Sequence, residues 1–415
     1  MADLLAIQDP PPERADAVEG DRVELAADFR EFGDAHSIEE ILRLAREVLG
    51  DPTFPTARAW RKAGGRAVGC FPVYTPQEIV HSFGLLPVAL SGGGENLEIS
   101  RADAALGSFL CSISKSTLEA ALTGLLEPFD AYLFPYICDV SRNLEGIFSR
   151  VLPSRPSHML HLPQNFTSPS AIPFLVAEYR SLIAKLERLT DRPFSPEQLG
   201  RSIELFNEQR ALVARLAALQ RDAPGKIGLV EYYLLRRLGG LLPREVHIPL
   251  LRRALAEVER RERKNKDAIP ILLVGPFCEQ PTLDLLQLIE DVGCYVVGDE
   301  LQMLHHWCPS IVPGPDPLES LATAYLRTPV DIGVRLTPTT KGAAIQARLD
   351  AARAQGVVFL TAKFCEPALE DVVLYRRALE HRRVPYLHME FEEKSTTYEQ
   401  ARLQLETFVE SILFD

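Results

Sequence analysis

Short apolar runs alternate with helix-like segments in two separate stretches of this chain, and no other feature restricts its fold as much. The first stretch opens near residue 64. "RAVGCFPVY" (66–74), "LPVAL" (86–90), "DAYLFPYIC" (130–138) and "HMLHLP" (158–163) are its strand candidates. The second opens at "AIPILLVGPF" (268–277) and continues through "CYVVGDE", "VVFLTAKF" and "VPYLHMEF". Strands that alternate with helices predict a parallel sheet with crossover helices. Between the two stretches the pattern is helical, as in "FLVAEYRSLIAKLERL" and "EQLGRSIELFNEQRALVARLAALQ". The predicted fold is therefore α/β, with two parallel-sheet lobes, a helical N-terminal segment and a helical insertion between the lobes. The segments read as 1–63 (a tail and the helix "SIEEILRLAREVL"), 64–167 (first lobe), 168–267 (helical region) and 268–415 (second lobe with a C-terminal helix). One local signal is dense. In "TPQEIVHSFG", Thr75 suits an N-cap, Pro76 the first helical position, Glu78 a capping box and Gly84 the stop.

A chain of 415 residues is too long for one ordinary core, and 46% hydrophobic with 25% charged residues is a common globular mixture. The formal charge of −12 argues against a nucleic-acid partner, which needs a clustered basic face. The basic run "VERRERKNK" (258–266) carries two glutamates and reads as a solvated helix end. The start is acidic and Pro-rich, without the basic and apolar regions of a secretory signal. No apolar run approaches the roughly 20 residues that span a bilayer, so a cytoplasmic, membrane-free protein is expected. In that compartment the seven cysteines are expected to be buried, reactive or metal-bound rather than paired.

Two of them share a context. "AYLFPYICDV" (131–140) and "GVVFLTAKFC" (356–365) are both apolar, aromatic runs that end in or just after a cysteine, and an acid follows each cysteine, Asp139 and Glu366. Ligands of open parallel sheets sit outside the carboxyl ends of the strands. Cys138 and Cys365 are placed to meet there if the two lobes face each other. Cys111, in "GSFLCSISKS", ends another short apolar run of the first lobe. Three soft sulfur ligands suit zinc or an iron–sulfur cluster. A free cysteine is also among the most buried of residue types and packs as a small hydrophobe. No C-x-x-C pair is present, so spacing alone leaves core packing and metal binding both open. Cys70, Cys278 and Cys294 lie in apolar strand contexts and read as inert core.

The chain resembles the cluster-bearing subunits of the 2-hydroxyacyl-CoA dehydratase and benzoyl-CoA reductase family from about residue 64 to the C-terminus. The resemblance rests on "FPVYTPQEIVHSFGLLPVAL", "CSISKSTLEAAL", "YICDVSRNLEGIF", "GVVFLTAKFCEP" and "PYLHMEFEEKSTTYEQARLQLETFVESI". It implies flavodoxin-like lobes and one [4Fe–4S] cluster per subunit, held by the residues that match by context: Cys111, Cys138 and Cys365. Such a cluster keeps one iron open. The resemblance further implies a homologous cluster-bearing partner subunit, ATP-hydrolysing iron–sulfur activating subunits, ferredoxin as donor and an acyl-CoA substrate. The chain departs from the family pattern at "GDELQMLHHWCPS", where many members carry a cysteine or a Gly-Arg motif. Cys308 there stays open between a fourth ligand and a surface or packing cysteine. The adjacent His305 and His306 read as surface or pocket-wall residues, and Gln302 adds to the departure.

Three functions follow as expectations. The first is the catalytic iron–sulfur subunit of a ferredoxin-dependent, ATP-coupled benzoyl-CoA reductase, an oxidoreductase of anaerobic aromatic degradation that adds single electrons to an aromatic acyl-CoA ring. "KFCEP" and the C-terminal segment resemble this branch. The second is a subunit of a 2-hydroxyacyl-CoA dehydratase. The third is an electron-relay subunit that binds no substrate. The chain has no G-x-x-x-x-G-K-[ST] phosphate loop, in keeping with a separate ATPase. "SGGGEN" (91–96) reads as a turn near the substrate pocket. No proton donor is assigned: Glu78 reads as a capping residue, His81 as packed or exposed, and Tyr74 precedes their helix.

Overall fold

The computed structural model describes residues 29–263, 267–275, 278–301, 310–328, 338–393 and 397–414. Gln302, His305, His306 and Cys308 lie outside the described residues. Eight strands form among the described residues: β1 (Arg66–Cys70), β2 (Leu85–Ala89), β3 (Ala131–Pro135), β4 (Ser157–Leu160), β5 (Ile269–Val274), β6 (Cys294–Asp299), β7 (Gly356–Ala362) and β8 (Tyr386–Phe391). Each overlaps one of the eight apolar runs identified above. They build two four-stranded sheets of order β2-β1-β3-β4 and β6-β5-β7-β8, and every pairing is parallel. The two lobes thus repeat one strand order, and β7 occupies the place in its sheet that β3 holds in the other.

The reason these runs are strands is visible in their burial. β2, β3 and β7 are buried along their whole length, as strands covered on both faces must be, so apolar residues run on without alternation. The second sheet is covered on one face by helices including Leu229–Leu238, Leu283–Asp291 and Glu399–Phe414. On the other, Ile345, Leu349, Val372, Tyr375 and Leu379 pack against Leu272, Val274, Val357 and Phe359.

The helical region does more than separate the lobes. The helix Pro196–Asp222 gives Leu199 and Ile203 to the core of the first sheet, and Val213 and Leu216 to that of the second. The helix Pro317–Leu326 follows the second sheet's β6 in sequence, yet Leu318, Leu321 and Ala322 pack into the first core. The helix Ile38–Gly50 opens with a capping box, Ser37 Oγ accepting from Glu40 N at 3.2 Å, and joins the second core. Among the described residues no helix is long and apolar enough to cross a membrane.

The helix after β1 starts later than its sequence signals predict. It spans Gln77–Ser82, with Pro76 as N-cap and no side-chain cap bond. Pro76 has ψ 78°, outside the helical range, so the first turn cannot include it. Glu78 does not cap. Its fully buried carboxylate forms an ion pair with Arg210 of the helix Pro196–Asp222. Gly84 ends the segment with φ +73°, as expected of a stop.

Candidate functional site

Cys138 and Cys365 both stand three positions past their strands, from 135 to 138 and from 362 to 365. Each is the N-cap of the helix that follows, Asp139–Val151 and Glu366–Arg382. Cys111 is likewise the N-cap of Ser112–Leu122. The acid after two of these cysteines is thus the first residue of a helix, where a negative side chain meets the positive end of the helix dipole. The same field favours a thiolate over a thiol at the cap. Cys138 Sγ accepts from Ser141 N at 3.4 Å, and Cys111 Sγ lies 3.1 Å from Ser114 Oγ.

The three predicted cysteines come together. All are half-buried and pack against one apolar cluster, which Cys365 shares with the core of its own lobe. Burial pushes the Cys111 thiol up to about 12, and the charges of Glu279 and Cys138 act in the same direction. Burial raises Cys365 too, with Cys111, Cys138 and Glu279 adding repulsion. Cys138 is raised by burial and then by Asp139 and Glu366. The set is therefore a group of thiols whose charges repel, set among carboxylates. They cannot all ionise without a cation between them. Among the described residues no three His, Cys, Asp or Glu side chains close on one point as the ligands of a single metal ion would.

The sequence pattern puts Cys278 in a strand, and the structure does not. It lies four positions past the end of β5 (274 to 278), in the crevice with the other three. After burial, the groups that raise its thiol are Cys365, Cys138 and Cys111 in that order. A signal is present in the sequence, since the triplet Phe-Cys-Glu occurs at 277–279 and again at 364–366. Cys70, at the end of β1, and Cys294, at the start of β6, are buried strand residues apart from this set. His81 is also elsewhere. Its ring bridges Ser202 (2.8 Å) and Glu245 (3.3 Å) and packs edge-on to Phe206.

Two glutamates tie the crevice together, and neither stands out in the sequence. Buried Glu279 accepts from Ile113 N through one oxygen and from Glu393 N through the other, both at 3.1 Å. It thereby links the loop after β5 to the start of the Cys111 helix and to the end of β8. Burial and the nearby Glu393 carboxylate raise the Glu279 carboxyl well above the usual carboxylate range. Beyond Glu393 lies a cavity of about 320 Å³, lined among others by Gly92, Asn96, Arg237, Gln280 and Thr282. The glycine turn "SGGGEN" forms one wall of it. Gly92 has φ +79°, and a Cβ there would stand 2.0 Å from Glu393 Oε1 and 2.5 Å from Ser116 Oγ. Gly92→Ala is expected to cost roughly 2–5 kcal/mol, combining left-handed strain with displacement of a buried carboxylate. Urea unfolding measures it, and a loss below about 1 kcal/mol would mean that Glu393 yields freely.

A two-lobed α/β protein with thiols at facing strand ends is the class that fold and site define. Residues 72–412 match the family model described as 2-hydroxyglutaryl-CoA dehydratase, D-component. The chain belongs to that family, in agreement with the resemblance carried by its segments. It is similar to a benzoyl-CoA reductase subunit of Thauera aromatica, with 32% identity over 381 residues that span 91% of this chain and 99% of the relative. The (R)-phenyllactyl-CoA dehydratase beta subunit of Clostridium sporogenes is 24% identical, covering 88% and 97% of the two chains. The lactoyl-CoA dehydratase beta subunit of Anaerotignum propionicum is 26% identical, covering 90% and 99%. These relatives are named as subunits of enzymes that act on acyl-CoA thioesters.

Proposed function

We propose that this chain is the iron–sulfur subunit of an ATP-coupled, ferredoxin-dependent benzoyl-CoA reductase, with a [4Fe–4S] cluster held by Cys111, Cys138 and Cys365. The observation that carries the reading is the convergence of these three helix-capping thiols at the facing ends of the two sheets. Their chemistry suits the cluster: soft donors that repel one another unless a cation joins them. The bound cluster would supply single electrons at a potential set by its charge, hydrogen bonds and burial.

The chain's own residues would do the rest. Ser141 N and the Ser114 hydroxyl stand beside the sulfurs and orient them. Asp139 and Glu366 stand beside the site as carboxylates, which would disfavour an extra electron there and keep the potential low. The cavity beyond Glu393 is at the small end of ligand pockets and takes the acyl end of the thioester. Phe109 and Phe364 stand 69% and 38% exposed beside Cys111 and Cys365. Large exposed aromatics are enriched at interfaces, and a homologous cluster-bearing partner would cover this face. An ATP-hydrolysing activating protein would deliver the electrons.

The benzoyl-CoA reductase relative favours ring reduction, and the dehydratase beta subunits keep 2-hydroxyacyl-CoA dehydration as the second reading. Electron stoichiometry separates them. The assembled complex, given ATP and reduced ferredoxin, is expected to consume a pair of electrons for each benzoyl-CoA converted to a cyclic diene thioester. A complex that dehydrates a 2-hydroxyacyl-CoA with only catalytic reductant, and leaves benzoyl-CoA untouched, would reverse the assignment.

A further inference from the structure

We infer that Cys278 is the fourth protein ligand of the cluster, so that the cluster in this chain is closed to external ligands. The inference rests on the cluster reading above and concerns the one coordination position that reading leaves open.

Four structural observations place Cys278 in the ligand set. The two sheets share one strand order, and β5 neighbours β7 as β1 neighbours β3. The crevice outside a sheet of this order lies at the carboxyl ends of its two inner strands. Cys138 follows β3, Cys365 follows β7 and Cys278 follows β5, so three of the four inner strands deliver a thiol to one space. The fourth, β1, delivers the Pro72 carbonyl, and the Cys278 Sγ donates to it at 3.3 Å. Cys278 therefore sits against the other lobe, across the crevice. It shares the first core with Cys111, Cys138 and Cys365, as Cys70 also does, but unlike Cys70 it lies past its strand rather than within it, and it is 8% exposed. The Glu279 side chain fixes the position of this loop. It accepts from Ile113 N, two residues from Cys111, and from Glu393 N.

The donor chemistry agrees. Cys278 is a soft ligand of the same kind as the other three, and its proton would leave as its sulfur bonds to iron. The Pro72 carbonyl holds the thiol proton until then. A cluster with four thiolates has no iron free for a substrate oxygen. Four thiolates from this chain would leave the thioester to be bound by other groups, which fits reduction of a ring better than removal of a hydroxyl.

The experiment uses the chain purified without oxygen, as wild type and as Cys278→Ser, with iron and sulfide counted and Mössbauer and EPR spectra taken before and after cyanide. Wild type is expected to hold about four irons that cyanide leaves unchanged. Cys278→Ser is expected to keep the four, with about a quarter of the iron in a new site that cyanide shifts. If wild type already shows a distinct iron that binds cyanide, or if Cys278→Ser is spectroscopically identical to it, Cys278 is not a ligand although the cluster stands. A wild type without iron overturns the cluster reading itself. The wild-type cyanide measurement can overturn the proposal even if the variant fails to fold, and Cys308→Ser, which should leave the spectra unchanged, separates Cys278 from the other cysteine open as a fourth ligand.

Discussion

Cys365→Ala is expected to bring the chain from about four iron and four sulfide to nearly none, with the same outcome for Cys111→Ala and Cys138→Ala. Each change removes a thiolate from a helix N-terminus and leaves an iron without its protein ligand. The loss should be far larger than for Cys278→Ser, because alanine, unlike serine, leaves no oxygen for the vacated iron, and the three residues come from three different helices with no neighbour to replace them. Activity should vanish under the reductase, dehydratase and relay readings alike, so metal analysis rather than activity is the informative readout. Cys70→Ala and Cys294→Ala serve as controls. Both residues are buried strand cysteines, and their loss should lower stability while leaving iron unchanged. Iron that survives all three ligand changes, or zinc in its place, would return these thiols to the core and remove the basis for redox chemistry.

Arg210→Met is expected to destabilise the protein by about 3–5 kcal/mol, the usual consequence of removing one partner from a buried ion pair. Glu78 and Arg210 are both buried, and they join the helix after β1 to the helix Pro196–Asp222 that spans both cores. Arg244 lies beside them, fully buried, with its guanidinium 4.4 Å from the Phe206 ring centroid, and it donates to Gln77. The double change Glu78→Gln with Arg210→Met should recover only part of the loss, since it removes the stranded carboxylate but leaves the buried Arg244 guanidinium without that counter-charge. Urea midpoints of the two singles and the double measure this. A single-variant cost under about 1 kcal/mol, or a double worse than the sum, would show that the pair is not what locks the lobe to the helical region.

The outcome at Glu78 shows how far a local signal reaches. Thr75, Pro76 and Glu78 have the residue types and spacing of a capping box, and all three signals are local. Arg210 lies more than a hundred residues away in sequence, and nothing near Glu78 announces it. A buried cation outcompetes a backbone amide for a carboxylate, so the tertiary partner took the residue. The acids after Cys138 and Cys365 went the other way. Their context is local, and in the structure each is the first residue of its helix.

What the sequence determined by itself is what depends on neighbours along the chain. Eight apolar runs, each bounded by turn residues, carried the strands and their parallel class, because burial on both faces leaves a continuous apolar imprint. The cysteines past two of those runs marked two carboxyl ends. Strand order, the crossing of Pro196–Asp222 between cores and the entry of Pro317–Leu326 into the first lobe were decided only by tertiary packing. So was the membership of Cys278 and Glu279 in the crevice. A thiol in an apolar run looks the same whether it faces a core or a crevice, and only the approach of the opposite lobe, here the Pro72 carbonyl, distinguishes the two.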